Sequence, residues 1–169
     1  MSFSVYDASA PIFVQSLGNM RAWLDKTGTV PETELLAARL APDMHPLARQ
    51  FQMASDAAKG AVARLAGLAP PPMADTEASF AELKARIDRT IAFINSVDPA
   101  LVAEGATRDI ALKFPNGMGY RFTGAAFLTS FALPNFFFHA TTAYAILRAN
   151  GVAVGKGDFL MHLGLPEAM

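Results

Sequence analysis

The chain has 169 residues, enough to bury a sizeable core, and we expect residues 1–169 to form one domain. Hydrophobic residues make up 52% and charged residues 17%, a composition that predicts more apolar surface than a monomer of this size buries. The net charge of −1 comes without a basic stripe, so the electrostatic footprint of a nucleic-acid-binding protein is missing. The absence of cysteine excludes disulfides, thiolate metal sites and a cysteine nucleophile.

The N-terminal segment predicts a helix and not a secretory signal. It has no basic region and contains Asp7 early, so a cytoplasmic location is expected. Apolar residues then recur at the spacing of one helix face, namely Phe13, Leu17, Met20 and Leu24. The loop DKTGTVPE ends this helix after about residue 25, and Leu35–Leu40 is expected to add a short helical turn.

Two further long helices have recognisable starts. In LAPDMHPLARQF, Asp43 is expected to cap the helix and Pro46 to lie in its first turn. The apolar face of this second long helix is Leu47, Phe51, Ala54, Ala58, Ala61, Leu65 and Leu68. The prolines of GLAPPPMADTE end it, and Thr76 or Ser79 opens the third. On the third long helix the apolar face is Phe80, Leu83, Ile87, Ile91 and Ile94, the opposite face has Glu82, Arg86 and Arg89, and NSVDPAL ends it.

An alternating segment precedes the last long helix. Its apolar residues are Ile110, Leu112 and Phe114, then Tyr120 and Phe122. An Asn-Gly pair at 116–117 separates the two runs, which is the strongest short signal for a β-hairpin. Residues 123–150 are expected to form the fourth long helix, which Pro134 kinks or divides and an Asn-Gly pair at 150–151 caps.

The segment Phe122–Leu147 contains no Asp, Glu, Lys or Arg and is long enough to cross a bilayer. However, it contains Pro134, Asn135 and His139, and it lacks flanking aromatic belts and a basic loop asymmetry. Because three other helices present apolar faces, we expect this helix to lie at the centre of a bundle, without a membrane.

The tail GVAVGKGDF superficially resembles a phosphate-binding loop. Its spacing is one residue short, Gly157 stands where serine or threonine is needed, and the segment follows a helix instead of a strand. A glycine-rich surface turn is therefore expected.

Three histidines are candidate metal ligands. His45 lies on the polar side of a first helical turn, which favours a surface residue, and nothing in the pattern fixes the direction of His162. His139 lies inside the apolar helix, where both ring nitrogens need partners. Asn135 lies one turn earlier on the same face. A hydrogen-bonded core histidine is favoured over a ligand.

Three segments together resemble a known family: LAPDMHPLARQFQMASDAAKGAVARLAG, FFFHATTAYAILRANGV and GKGDFL. With the four long helices and the hairpin, they resemble an uncharacterised bacterial family allied to the DinB/YfiT-like metalloenzyme superfamily, over nearly the whole chain. The resemblance implies an all-α fold, a four-helix bundle in an up-down-down-up arrangement with a small β-hairpin before the last long helix. It also implies a homodimer. In better-known members of the superfamily, a divalent metal supports thiol-dependent transferase or isomerase chemistry.

Those members have one histidine on the second helix and two, four residues apart, on the last helix. His139 matches the second of the last pair, and the first falls at Asn135, a much poorer ligand for zinc or nickel. On the second helix the inward positions are apolar, and only the flanking Gln52 and Asp56 could substitute. We therefore expect no cofactor, and His139, Asn135 and Asp56 are the residues available if zinc or nickel binds.

Two functional hypotheses follow. The first is a homodimer that binds a small ligand or has a structural role, with the bundle retained and the metal triad lost. The second is a divalent-metal, thiol-dependent transferase-type enzyme acting around His139. The asparagine at 135 favours the first. The expected pocket residues are His139, Asn135, Gln52 and Thr142, and the sequence assigns no catalytic residue.

Overall fold

The computed structural model describes residues 3–114, 116–165 and 167, and the protein is mostly helical. The helices are α1 (Ala10–Trp23), α2 (Glu32–Ala37), α3 (Leu47–Ala66), α4 (Phe80–Ser96), α5 (Pro99–Ala103), α6 (Gly124–Phe127), α7 (Leu133–Ala149) and α8 (Lys156–Phe159). Two strands, β1 (Asp109–Lys113) and β2 (Gly119–Thr123), form an antiparallel hairpin between α5 and α6. The long helices α1, α3, α4 and α7 lie where the apolar periodicity predicts them.

Of the first two helices, only α2 differs from its predicted bounds. α1 is followed by a 3₁₀ turn at Leu24–Lys26, which agrees with the predicted end after about residue 25. α2 spans Glu32–Ala37 and not Leu35–Leu40. Pro31 directly precedes α2, where its missing amide hydrogen is tolerated, and the extended backbone of Ala38 (ψ 142°) ends the helix.

The predicted cap of α3 is wrong. Pro46 is extended (φ −70°, ψ 167°) and precedes the first helical residue, Leu47, so it does not lie in the first turn. No side chain caps this helix start, Asp43 included. Asp43 belongs to a separate turn, closed by a 3.0 Å hydrogen bond from the Met44 amide to the Ala41 carbonyl.

The central helix of the molecule is α3, not the last helix as we expected. It packs against α1, α4, α5 and α7, and it buries residues on nearly every side. Small buried residues such as Ala58 and Ala61 leave room for the neighbouring helices, and Gly60 leaves room for the guanidinium of Arg64 one turn later. α7 instead leaves one side in solvent, where Phe138 is 56% exposed.

The segment between α4 and β1 contains a helix that the sequence analysis missed. Ser79 caps α4 by accepting a 3.2 Å hydrogen bond from the Glu82 amide, which confirms one of the two predicted starts. The segment NSVDPAL ends α4 and also begins α5. Asp98 accepts a hydrogen bond from the Ala100 amide, and Pro99 occupies the first helical position.

The hairpin is confirmed. Asp109 pairs with Thr123 and Lys113 with Gly119, and the intervening loop contains Gly117 with a left-handed φ of 82°. Phe114 lies just beyond β1 and is 39% exposed, so it does not extend the buried alternation. α6 then starts in close contact with the 3₁₀ turn Glu104–Thr107, which follows α5. A Cβ added to Gly124 would lie 1.9 Å from the carbonyl oxygen of Gly105.

The last long helix is divided just before Pro134, as predicted. A five-residue π-helical turn, Leu128–Ala132, joins α6 to α7. Pro134 has no amide hydrogen for the carbonyl of Ser130, and a turn with i→i+5 bonds accommodates this loss. The helix ends at Asn150-Gly151, and Gly151 has φ 83°. Of the helices in the described ranges, none combines the length and apolar character needed to cross a membrane.

The tail packs more closely than a surface turn would. Val152 and Val154 are buried, which corrects that expectation. The indole Nε1 of Trp23 donates a 3.1 Å hydrogen bond to the carbonyl of Asp158, and the Phe159 ring stacks on the indole with centroids 5.4 Å apart. The tail therefore covers the end of α1.

Candidate functional site

His139 lies buried, 4% exposed, where α7 meets the start of α3. Its Nδ1 lies 2.8 Å from Oε1 of Gln50, and Nε2 of Gln50 donates to the carbonyl of His45 at 3.0 Å. Because the amide nitrogen of Gln50 is used in this way, its oxygen accepts from a protonated Nδ1 of the histidine. Burial, helped by the charges of His45 and Arg49, lowers the pKa of His139 to about 4. The ring is therefore neutral at pH 7.

A cleft of about 260 Å³ lies beside Asn135, one helical turn before the histidine. α3, the end of β1 and the helical segment around the π turn form its walls. Its polar lining is Asp56, Arg64, Lys113 and Asn135, and the apolar lining includes Phe127 and Phe131. A hollow of about 320 Å³ also exists, but the hairpin alone forms it.

Two cations in this cleft have no acidic partner within the described chain. Arg64 is half-buried, and one N–H of its guanidinium donates to the Gly60 carbonyl at 2.9 Å. Among the ion pairs of the described residues, none contains Arg64 or Lys113. Burial lowers the pKa of Arg64, as expected for a charge that loses water without gaining a counter-ion.

The carboxylate of Asp56, by contrast, is well partnered. Its Oδ1 accepts from Nη2 of Arg86 at 2.7 Å and from Nζ of Lys59 at 2.6 Å. Arg86, whose side chain is 0% exposed, also contacts Asp75 at 3.0 Å and Glu77 at 3.1 Å. The sequence predicts Arg86 on the polar outer face of its helix. This prediction is wrong, because the segment before α4 folds over the guanidinium.

The remaining predicted pocket residues have other partners. Nε2 of Gln52 donates to Glu77 at 3.0 Å, and Oγ1 of Thr142 donates to the carbonyl of Phe138 at 2.7 Å within its own helix.

The structure thus does not bring the four predicted pocket residues together in one cleft. Asn135 and Asp56 line one cleft, whereas His139, Gln52 and Thr142 do not contribute to that lining.

The donor groups do not fit the zinc or nickel site that the resemblance implies. The described residues contain no group of three or more histidine or carboxylate side chains able to hold a metal ion. Asp56 is engaged by two cations, and His139 does not line the cleft that Asp56 and Asn135 share. Arg64 and Lys113 in the same cleft would also repel a divalent cation.

Gln50, Arg64 and Lys113 were not predicted from the sequence. Gln50 lies three residues after Leu47 and four before Ala54, so it shares their buried face, and this spacing was the available signal. The position of Lys113 depends on how the hairpin packs, which local sequence does not determine.

The arrangement of the long helices and the hairpin is that of a DinB-like protein. The crystal structure of a DinB family member protein from Shewanella denitrificans superposes with a TM-score of 0.84. It is 40% identical, and the match covers 92% of this chain and 91% of that one. Residues 5–160 match the family described as "Domain of unknown function (DUF1993)", and the chain belongs to that family. No curated protein matches the chain.

Proposed function

We propose that the protein is a DinB-like four-helix bundle, arranged up-down-down-up, that binds a small organic molecule in the cleft beside Asn135. One observation supports this most directly: the cleft brings partly buried charged groups together with an aromatic wall. Ligand sites in proteins are concave, mostly apolar and equipped with a few polar groups. A π turn forms part of the wall, and such turns are frequent at functional sites.

The roles of the polar groups favour binding over catalysis. Lys59 and Arg86 hold the carboxylate of Asp56 in place, and burial keeps His139 neutral, away from the cleft lining. Neither arrangement pairs a base with a nucleophile, which acyl or group transfer requires. The thiol-dependent transferase hypothesis around His139 stays a prediction, and no contact in the described chain favours it.

A cleft-filling substitution tests the proposal. Ala57 lies on the α3 wall and is half-buried, so Ala57→Leu should reduce the cleft while keeping a good helix former. Ala92→Leu is the matched control, because Ala92 is exposed on α4 and outside the cleft. A library of small organic fragments is screened by ligand-observed NMR against all three proteins.

We expect fragments that bind the wild type and Ala92→Leu and that lose binding to Ala57→Leu. A library without a single binder, or binders that Ala57→Leu retains, would contradict the proposed function.

We further propose that the protein is a cytoplasmic homodimer whose interface includes α7 and the tail. Phe138 on α7 is 56% exposed, and Leu163 in the tail is 71% exposed, so each of these segments leaves a large apolar side chain in solvent. Light scattering should give about twice 18.0 kDa, and Phe138→Glu should shift the mass toward the monomer. Tyr120→Glu, at a similarly exposed position on the hairpin, should leave the dimer intact. A monomeric wild type would refute this proposal.

A further inference from the structure

The charge balance of the cleft indicates what kind of ligand it takes. A partly buried guanidinium without a counter-ion destabilises the folded state, because it loses hydration and gains little in return. Arg64 is in that position, and only one of its five N–H donors has a described acceptor. Lys113, at the rim, adds a second positive charge without an acidic partner in the described chain. A bound anion would supply a negatively charged partner for both side chains.

The opposite part of the lining is aromatic. Phe127 is fully buried and Phe131 half-buried, and their rings stack with centroids 6.0 Å apart and an interplanar angle of 21°. An apolar group of a ligand can therefore pack on this wall while its charged group remains at the cationic end. The volume of about 260 Å³ lies just below the range of roughly 300–1,000 Å³ that is typical for drug-sized ligands, so the ligand is small.

The negative charge of Asp56 limits how much negative charge the ligand can have. This carboxylate lines the same cleft, and although Lys59 and Arg86 neutralise much of its field, it repels a second negative charge more than a first. A guanidinium binds carboxylates and phosphates alike in a bidentate geometry, so the preference between them depends on the charge of the ligand. The arrangement therefore favours a monoanionic carboxylate over a phosphate.

We infer that the cleft binds a small monocarboxylic acid with an aromatic or branched apolar body. The carboxylate lies between Arg64 and Lys113, with the amide of Asn135 as a further donor, and the apolar body contacts Phe127 and Phe131. This inference rests on the proposed function, because it names the ligand class of the same cleft.

The test uses phenylacetate, its neutral isostere phenylacetamide and inorganic phosphate, each titrated into the full-length protein and followed by NMR. We expect phenylacetate to bind with a dissociation constant on the order of 1 mM, as its few atoms allow, and phenylacetamide to bind about tenfold more weakly. Arg64→Gln should weaken phenylacetate binding by about tenfold and leave phenylacetamide unchanged. Arg64→Lys should restore part of the loss.

Two further variants keep the test valid if Arg64→Gln fails to fold. Lys113→Gln, at an exposed position, should also weaken phenylacetate binding, whereas Arg121→Gln, on β2 and outside the cleft, should not. Equal binding of phenylacetate and phenylacetamide would overturn the carboxylate inference and leave the cleft function standing. Tighter binding of phosphate, or phenylacetate binding that resists both charge-removing variants, would also overturn it. If fragments bind the cleft but phenylacetate does not, the inference alone fails, and if nothing binds there, both fail.

Discussion

Replacing Arg86 with methionine tests the buried charge network next to the cleft. The guanidinium is 0% exposed and contacts Asp56, Asp75 and Glu77 at 2.7, 3.0 and 3.1 Å. Burial alone lowers the pKa of Arg86, but the three carboxylates outweigh burial and raise it. Methionine has a similar length and no charge, so Arg86→Met removes the cation with little change in packing.

The loss in the free energy of unfolding depends on which partners each carboxylate keeps when Arg86 is removed. Asp56 and Asp75 are 38% and 34% exposed, and each keeps a second cation, so their loss of Arg86 contributes little. Glu77 is 6% exposed and keeps mainly the neutral amide of Gln52. Removing one partner of a buried pair costs about 3–5 kcal/mol, and with one such orphan we expect about 3 kcal/mol. For a chain of this length, that loss lowers the Tm by about 6–12 °C.

The assay is urea and thermal unfolding followed by circular dichroism, with Arg89→Met as the control. Arg89 is 58% exposed and lies 3.7 Å from Glu77, so its removal should cost less than about 1 kcal/mol. The reasoning is refuted if the two variants unfold within about 2 °C of each other, because a buried charge network would then contribute no more than an exposed pair.

The difference in the free energy of unfolding between wild type and Arg86→Met should also depend on pH. Burial raises the pKa of Asp75, but Arg49 and Arg86 outweigh that effect and hold it below its ordinary value of 3.8. A carboxyl whose pKa is lower in the folded state stabilises the fold above pH 3.8, and this contribution disappears as the pH falls through the folded-state pKa. The free-energy gap between the two proteins should therefore narrow below about pH 4, and a gap of constant size would contradict the assignment.

His139→Ala should cost about 1–3 kcal/mol, because it leaves the buried oxygen of Gln50 unpaired, and thermal melts with and without zinc or nickel should show the same loss. A metal-dependent rise in Tm for the wild type alone would instead support a metal site. Because burial lowers the pKa of His139 to about 4 from 6.5, the wild type should lose stability as the pH falls between those values, and His139→Ala should lose less, as urea titrations at several pH values can measure. Gly124→Ala should destabilise by at least about 1–3 kcal/mol, since the new Cβ would meet the Gly105 carbonyl, whereas Gly157→Ala, with nothing within 4 Å, should have little effect in the same melts.

Local signals predicted most of the secondary structure. The apolar spacing that begins at Phe13 and the serine at 79 depend on residues within one or two turns, so they are legible without tertiary information. The Asn-Gly pair at 116–117 is similarly local, and the hairpin follows it. Caps proved less predictable. Asp43 is a good capping residue by type, but Pro46 sets the helix start three residues later.

The burial of charged residues was not predictable from helical periodicity. Arg86 lies at the edge of the buried face of α4, three residues after Leu83, where helical periodicity alone does not decide between core and solvent. It is buried because a separate segment covers it: the carbonyl of Ala74 accepts its N–H at 2.9 Å, and Glu77 follows. A proline-rich stretch predicts only a break in the helix, not the surface on which it folds.

The lining of the cleft includes two residues that were named from the sequence. Asn135 was named for its position one turn before His139, and Asp56 through the family resemblance. His139 was grouped with Asn135 because four residues make one helical turn. Its contacts lie instead toward the start of α3, where Gln50 meets it. Which neighbour fills the space beside each side chain depends on helix packing, and a single-helix projection contains no such information.

The π turn at Leu128–Ala132 determines how α6 and the preceding hairpin are rotated around the axis of the last helical segment. A π turn behaves as a one-residue insertion into a helix, and one residue corresponds to a rotation of about 100° around the helix axis. α6 and the attached hairpin are therefore rotated relative to the direction that an unbroken helix would give them. The aromatic wall and Lys113 reach the face of α3 at that rotated setting. Insertions and deletions of single residues within 128–130 are thus a route by which the cleft can be reshaped without substituting any residue that lines it.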